Sequence, residues 1–211
     1  MLFDVFGTCV DWRTSIMREL ERFGLPAKLA DAWRAEYQPQ METVRSGKRP
    51  WVNLDVLHRI GLDKVLRDAG LALAEDDRDE LVKGWHRLDP WPDVVEGLTR
   101  LKESHIVAPC SNGHIAQSVN LAKYAKLPWD AILGAEIARA YKPDPRVYRE
   151  SVYALGLQVD EVCIVSAHRQ DLAAVADPGL HSAFVERFGE DPGPPFDADI
   201  VAYDFVDLAQ R

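Results

Sequence analysis

The sequence predicts an α/β fold in which a Rossmann-like parallel sheet core carries an inserted all-helical cap. Short apolar runs alternate with amphipathic stretches at the start and in the second half of the chain, which is the pattern of parallel strands joined by helices. The stretch between them shows helical periodicity and no convincing strand. We therefore expect residues 1–12 and 90–211 to form the core and residues 13–89 to form the cap.

Short apolar runs predict five strands of the core sheet. Only three residues precede Asp4, so either the first strand is abbreviated or residues are missing in front of it. A loop is expected at Asp191 to Pro195, where the sequence reads DPGPP. In chain order, the predicted strands are Leu2 to Phe3, Ile106 to Cys110, Val162 to Val165, Ala183 to Val185 and Ile200 to Ala202.

The clearest predicted helix of the core begins at Asp144 and Pro145, since Asp is a good N-cap and Pro fits the first helical position. Gly156 supplies its stop. Pro39 interrupts the main helical pattern of the cap and predicts a kink or a helix boundary near Gln38. That pattern is an apolar stripe made of Leu29, Trp33, Tyr37, Met41 and Val44.

Composition excludes several classes of partner. The 211 residues are 47% hydrophobic and 28% charged, and a net charge of -9 provides no basic stripe for a nucleic acid. No apolar run approaches the roughly 20 residues that span a membrane, and no leader precedes the first motif. Cys9, Cys110 and Cys163 are too few and too scattered for a disulfide or zinc framework. We interpret them as core residues and expect a cytoplasmic protein.

Four short polar motifs follow the predicted strands or lie just beyond them. Each motif alone is weak, but their order around a helical insert is specific. In open α/β sheets the carboxyl edge of the strands is where ligands bind. The motifs are Asp4 to Thr8 (DVFGT), Ser111 to Gly113 (SNG), Lys142 to Pro145 (KPDP) and Ser166 to Asp171 (SAHRQD).

This arrangement resembles the haloacid dehalogenase superfamily and, within it, the type II 2-haloacid dehalogenases. The resemblance extends from Leu2 to about Val185 and implies a homodimer, a preference for the L enantiomer, a small anionic haloacid substrate and no cofactor. It implies that Asp4 is the nucleophile, that Lys142 pairs with it, and that Arg34 lies beside the departing halide. It places Thr8, Ser111 and Asn112 at the substrate and nucleophile, and Tyr148, Ser166 and Asp171 at further active-site positions.

The chemistry of these residue types agrees with the resemblance. A carboxylate attacks carbon only if it is ionised and oriented, so a lysine at Lys142 and hydroxyl donors at Thr8 and Ser111 are suitable partners. The Arg34 guanidinium and the Asn112 amide could stabilise the departing halide. Asp171, kept anionic by Lys142, is the candidate that orients or activates the water that hydrolyses the ester.

Phosphatases of the same superfamily are the main alternative. They resemble this chain at the first motif but have a second aspartate two residues after the nucleophile, where this chain has Phe6. They also hold Mg²⁺ with acids of the fourth motif, where this chain has Ser166. We therefore expect no metal at the site. Phosphonate-cleaving relatives also lack the second aspartate, so Phe6 alone leaves that alternative open, as it does a catalytically silent binding protein.

Phe6 and His168 depart from the commonest pattern of the resemblance, which has Tyr and Asn there. His168 is expected to narrow the site and to add a donor beside Arg34 and Asn112, which would suit a small, strongly hydrated ion such as fluoride. Alternatively, His168 only braces the loop before Asp171. The other histidines are assigned no role in the reaction; they are His58, His86, His105, His114 and His181.

Overall fold

The computed structural model describes residues 1–174, 179–191, 193 and 197–211. Six of the described strands form one sheet in the order β5-β4-β1-β6-β7-β8, and every neighbouring pair in it is parallel. The remaining two strands, β2 and β3, pair with each other in antiparallel fashion. The strands are β1 Leu2–Phe3, β2 Val10–Asp11, β3 Asp89–Pro90, β4 Ala108–Ser111, β5 Leu133–Gly134, β6 Cys163–Ser166, β7 His181–Val185 and β8 Ile200–Ala202.

Helices connect the strands of the sheet and fill the interval between β2 and β3. Short 3-10 helices lie at Lys83–His86 and Val159–Glu161. None of the helices in the described ranges is both long and apolar enough to cross a membrane. The helices are α1 Trp12–Arg22, α2 Leu29–Ala35, α3 Tyr37–Arg45, α4 Leu54–Asp68, α5 Glu75–Val82, α6 Val94–Leu101, α7 Ile115–Ala125, α8 Ala135–Ala138, α9 Pro145–Ala154, α10 Arg169–Ala174 and α11 Phe205–Leu208.

The shortest strand of the main sheet lies at its centre. β1 has only two residues, yet it pairs with β4 on one side and β6 on the other. Leu2 and Phe3 are fully buried and belong to two different apolar clusters, because successive side chains of a strand point to opposite faces. Apolar groups thus cover both faces of the sheet at β1, which confirms the predicted α/β class with a parallel, two-sided sheet.

Residues 12–88 contain helices and no strand, as the periodicity predicts. The strands β2 and β3 pair at the point where this helical segment leaves and rejoins the sheet. The helix boundary expected near Gln38 lies at Glu36, between α2 and α3. Four of the five stripe residues are buried and Val44 is partly buried, so the stripe forms the interior of the segment. Its bounds as a separate cap domain, 13–89, stay a prediction.

The predicted strand boundaries are correct to within about two residues. The second begins at Ala108 rather than Ile106, because Ile106 is 42% exposed and its carbonyl accepts a hydrogen bond from the terminal ammonium of Met1 at 2.6 Å. The strands expected from Val162 and from Ala183 begin instead at Cys163 and His181, and Ile200–Ala202 is confirmed. β5 was not predicted, since two residues are too few to show a pattern.

The predicted start and stop of the Asp144 helix are confirmed. The Asp144 carboxylate accepts the backbone N–H of Arg146, and Pro145 is the first helical residue. Gly156 follows the helix with φ of +67°, which a residue without Cβ adopts readily. The loop expected at Asp191 to Pro195 lies mostly outside the described residues.

Candidate active site

A cavity of about 290 Å³ opens at the carboxyl edge of the sheet. Asp4 follows β1, Asn112 follows β4 and His168 follows β6, so three neighbouring parallel strands deliver one polar residue each to the same place. The cavity brings together seven of the eleven site residues expected from the sequence, which are Asp4, Phe6, Arg34, Asn112, Lys142, His168 and Asp171.

The Asp4 carboxylate is buried and receives three side-chain donors. Lys142 Nζ lies 2.7 Å from Oδ1, while Thr8 Oγ1 donates to Oδ2 at 2.7 Å and His168 Nδ1 lies 3.0 Å from Oδ2. The Asp4 backbone N–H also donates to Val165 at 2.9 Å, which continues the β1–β6 pairing past the end of the strand. Asp4 is therefore fixed at its backbone and at both carboxylate oxygens.

The surroundings of Asp4 keep it ionised. Burial alone would raise the pKa of its carboxyl group, but the positive charge of Lys142 and the hydrogen bond and charge of His168 outweigh that effect. The pKa of Asp4 consequently lies well below its usual range. A carboxylate that is charged across the whole physiological range and held in one orientation meets the requirements for a nucleophile.

Lys142 lies between two acids. Its ammonium group is 2.7 Å from Asp4 Oδ1 and 2.5 Å from Asp171 Oδ2. Although burial opposes the charged form, Asp171 and Asp4 raise the pKa of Lys142 well above its ordinary value. The Tyr148 hydroxyl donates to the other oxygen of Asp171, and burial together with Asp171 raises the pKa of that phenol. The lysine thus remains a cation and Tyr148 remains a proton donor.

His168 contacts two carboxylates, whereas it was expected to present a donor beside Arg34 and Asn112. Its Nδ1 lies 3.0 Å from Asp4 Oδ2 and its Nε2 lies 3.3 Å from Glu190 Oε2. Burial would lower the pKa of the imidazole, but the two carboxylates raise it to about 9. Both ring nitrogens are therefore occupied by carboxylates, and neither is left to donate to a halide beside Arg34 and Asn112. His168 instead acts as a second cation on Asp4.

Arg34 is the cavity cation without an acidic partner among the described residues. Its guanidinium lies 4.1 Å from the ring centre of Tyr37 and 5.1 Å from that of Trp12. The Nη1 atom is buried and has no hydrogen-bond partner within the described ranges. A buried N–H without an acceptor is costly, so this group is ready to receive an anion in the cavity.

The remaining four predicted site residues lie behind the cavity wall. Thr8 accepts the backbone N–H of Ala167 while it donates to Asp4, so it connects the first and fourth motifs. Ser111 Oγ accepts the N–H of Gly113, and Ser166 Oγ accepts the N–H of His168. Each of these serine hydroxyls therefore binds the backbone of its own loop. In the described part of the chain, neither hydroxyl contacts the Asp4 carboxylate. Tyr148 reaches Asp171, as described above.

Asn112 and Phe6 complete the walls. The Asn112 side-chain oxygen accepts the backbone N–H of Lys142 at 2.8 Å, so the second motif positions the third. The Phe6 ring meets Tyr37 and Trp85 edge to face, with centroid distances of 6.3 and 6.0 Å. An aromatic side chain therefore stands two residues after Asp4, where it offers neither a proton nor a metal ligand.

Other residues lining the cavity were not predicted. Glu190 is the most consequential, because it accepts from Trp12 Nε1 at 2.8 Å and pairs with His168. It follows β7 at the same edge of the sheet, so its strand position was a usable signal, but the family resemblance ends near Val185. Two of the others, Tyr37 and Gln38, belong to the helical segment. Pro143 and Gln170 lie within the third and fourth motifs, and Asp191 follows Glu190.

Comparisons with known proteins agree with the fold and the motifs. The family model for haloacid dehalogenase-like hydrolases matches residues 1–177. (S)-2-Haloacid dehalogenase 4A of Burkholderia cepacia is 31% identical over 195 residues, which cover 90% of this chain and 84% of the relative. A solved defluorinating L-2-haloacid dehalogenase is 43% identical, with a TM-score of 0.94 over 99% of this chain and 92% of that chain. A second solved L-2-haloacid dehalogenase is 41% identical and superposes with a TM-score of 0.94. The match covers 99% of this chain and 96% of that chain.

Proposed function

The chain belongs to the haloacid dehalogenase-like hydrolases, and within them to the type II 2-haloacid dehalogenases, and we propose that it converts small (S)-2-haloacids into 2-hydroxyacids and halide. The observation that carries this proposal is the Asp4 carboxylate, which is ionised, buried and held by Lys142, His168 and Thr8 at the wall of a small cavity. The same cavity contains Arg34, a cation free to bind an anion.

In the first step, an Asp4 oxygen attacks the halogen-bearing carbon and the carbon–halogen bond breaks. The bond's electron pair leaves with the halide, and an aspartyl ester remains on Asp4. Oδ1 accepts one side-chain donor and Oδ2 accepts two, so Oδ1 retains more lone-pair density and is the attacking atom. The Arg34 guanidinium receives the halide, since its unpartnered Nη1 faces no competing carboxylate among the described residues.

In the second step, water attacks the Cγ carbon of the Asp4 ester. Asp171 accepts a hydrogen bond from this water and orients it, while Lys142 and Tyr148 hold Asp171 in place. The bond between Cγ and the ester oxygen then breaks. One proton of the water passes to the departing alkoxide, giving the 2-hydroxyacid, and the other is released to solvent, which regenerates the Asp4 carboxylate.

The reaction proceeds without a metal ion in this proposal. Halide departs without a proton, so the aromatic Phe6 can replace the acid that phosphatases place two residues after the nucleophile. The Lys142 ammonium bridges Asp4 and Asp171 and supplies the positive charge between those two carboxylates. Ser166 is turned to its own loop and provides no carboxylate. These features favour dehalogenation over the phosphatase alternative.

Two-carbon haloacids, fluoroacetate among them, are the proposed preferred substrates. A relative that is 43% identical is described as defluorinating, and the cavity here is small. Since both nitrogens of His168 are engaged with carboxylates, the donor for fluoride is Arg34 rather than His168. The helical segment 13–89 acts as the cap that contributes Arg34 and Tyr37 to the cavity. A homodimer and a cytoplasmic location stay predictions from the sequence.

Halide release tests this function directly. Protein treated with a chelator is incubated with chloroacetate and, separately, with fluoroacetate, and halide is measured over time. We expect steady release that added Mg²⁺ does not increase. Asp4→Asn is the matched control and should lose turnover on the order of 10⁴-fold or more, because an amide is a far poorer nucleophile. Dependence on Mg²⁺, or phosphate release from phosphoesters in place of halide release, would contradict the proposal.

A further inference from the structure

Three polar side chains from distant parts of the chain meet outside the catalytic cavity. Asp55 lies in α4, His86 ends the 3-10 helix Lys83–His86, and His114 precedes α7. Each offers one ligand atom, and these atoms all lie within 4.8 Å of one another. Both histidines are buried, and none of the three residues lines the cavity that holds Asp4.

Both imidazoles lie at distances from the Asp55 carboxylate that suit shared coordination of one metal ion. His86 Nε2 lies 3.0 Å from Asp55 Oδ1, and His114 Nε2 lies 3.5 Å from Asp55 Oδ2. Zinc bonds to imidazole nitrogen and carboxylate oxygen are about 2.0–2.2 Å long, so two ligands of a tetrahedral ion lie about 3.3 Å apart. The two separations, each to a different oxygen of Asp55, fall on either side of that value.

His114 lacks the hydrogen bonds that a buried imidazole normally makes. Its side chain is buried, and Nδ1 has no partner within the described residues. The 3.5 Å separation between Nε2 and Asp55 is longer than an ordinary hydrogen bond. A cation between these two atoms would coordinate both.

His86 has a suitable outer partner. Its Nδ1 lies 3.0 Å from the side-chain amide of Asn120, in α7. Turned to present its oxygen, that amide accepts the Nδ1–H and leaves Nε2 free to coordinate, an arrangement that commonly orients metal-binding histidines. The carboxylate of Glu136, which accepts the backbone N–H of Ile115, adds negative charge near His114. The surroundings therefore favour a cation.

We propose that Asp55, His86 and His114 form a binding site for a transition-metal dication of the Zn²⁺ class. Two imidazoles and one carboxylate suit such an ion, whereas Mg²⁺ and Ca²⁺ prefer oxygen ligands. Asp55 is partly exposed, so water can supply the fourth ligand. Asp55 and His86 belong to the helical segment, and His114 follows β4 of the sheet. The ion joins these two parts and resists their separation, independently of the dehalogenation chemistry.

Zinc titration of chelator-stripped protein without an affinity tag tests this proposal. Zinc affinity is measured by competition with a chromophoric chelator, and thermal unfolding is followed in parallel. We expect one Zn²⁺ per chain and a higher melting temperature with Zn²⁺ than with Mg²⁺. His86→Gln, His114→Gln and Asp55→Asn should each weaken zinc binding on the order of 100-fold, and Asn120→Ala on the order of 10-fold.

Two control variants locate the site. His181→Gln removes a histidine at the surface, and His168→Asn removes the cavity histidine; both should bind zinc as the wild type does. Co²⁺ bound to the wild type should show the intense visible absorption of a four-coordinate ion, a readout that requires no variant to fold. No zinc uptake by the wild type, or equal uptake by the wild type and a folded Asp55→Asn or His114→Gln variant, would overturn the proposal.

Discussion

At the scale of single residues, the charges around Asp4 are what suit it to the proposed role of nucleophile. Sequence reasoning predicted Asp4, Lys142 and Asp171 as site residues from the resemblance, and the structure brings the three together at one edge of the sheet. That reasoning did not identify Glu190, which lies beyond the matching motifs and acts through His168. A charged group that depends on a contact between distant loops leaves no periodic trace in the sequence. For the same reason, the sequence did not predict that Asp4 and Glu190 occupy both ring nitrogens of His168, which was expected to donate to a halide.

The pH dependence of the reaction should reveal the charge on His168. Its pKa is raised to about 9, so the imidazolium and its stabilising contacts are present at neutral pH and are lost as the pH rises through about 9. Loss of that charge makes the cavity more negative and weakens binding of an anionic haloacid. We expect KM to rise above pH of about 9 in the wild type, with a smaller change in kcat.

His168→Asn provides the comparison, because asparagine keeps a polar side chain but does not titrate. Its profile of kcat/KM should lack the inflection near pH 9, whereas Lys142, whose pKa lies far higher, is unchanged in both proteins. The same alkaline inflection in His168→Asn would show that another group causes it.

The proposed role of Arg34 in receiving the halide predicts a loss in kcat rather than in substrate binding alone. Arg34→Lys keeps the charge but cannot reproduce a planar guanidinium packed over Tyr37 and Trp12. We expect kcat for chloroacetate to fall by about 100-fold to 1000-fold, since a donor to the developing charge is lost. Arg67 is exposed, so Arg67→Lys is the matched control and should leave kcat and KM unchanged. If only KM rises in Arg34→Lys, Arg34 holds the substrate carboxylate and not the halide.

At the scale of secondary structure, the elements with strong local signals were predicted well. The Asp144 cap with Pro145 gives α9 its start, and the apolar stripe gives the helical segment its interior. β5 escaped prediction because two residues carry no periodicity, and its pairing with β4 depends on tertiary packing. The start of β4 was placed too early because apolar Ile106 lies outside the sheet, at a partly exposed position. Apolar character predicts burial only on average.

The central position of β1 predicts a large energetic effect from a short strand. Leu2 is fully buried between β4 and β6, so Leu2→Ala leaves a cavity in the apolar cluster on its face of the sheet. We expect the free energy of unfolding to fall by about 2–5 kcal/mol in urea titrations. Val201→Ala in β8, where the side chain is 46% exposed, should change it by about 0.5 kcal/mol or less. Equal losses in the two variants would mean that β1 is not the centre of the core.

At the scale of the whole molecule, the chain combines a net negative charge with a cavity that contains one cation, Arg34, without an acidic partner among the described residues. The net charge of -9 would repel an anionic substrate, and Lys142 and His168 are paired with acids of the cavity. Arg34 has no acidic partner among the described residues, so its charge is the one available to attract an anion. Composition therefore argues against a nucleic-acid partner but leaves a small anionic substrate open. The order of motifs around a helical insert predicted the architecture, because each motif follows a strand and parallel strands end at one edge. Sequence spacing does not show the Asp55, His86 and His114 cluster, which three separate elements assemble.

The proposed mechanism requires that Asp4, and not water, attacks the substrate. A single turnover in ¹⁸O-water, with enzyme in excess over chloroacetate, tests it most directly. Hydrolysis of the Asp4 ester at Cγ should place the first ¹⁸O in the Asp4 carboxylate, which mass spectrometry of the N-terminal peptide would detect, and leave the first glycolate unlabelled. Label in glycolate after that single turnover, with none in Asp4, would show that water attacks the substrate directly.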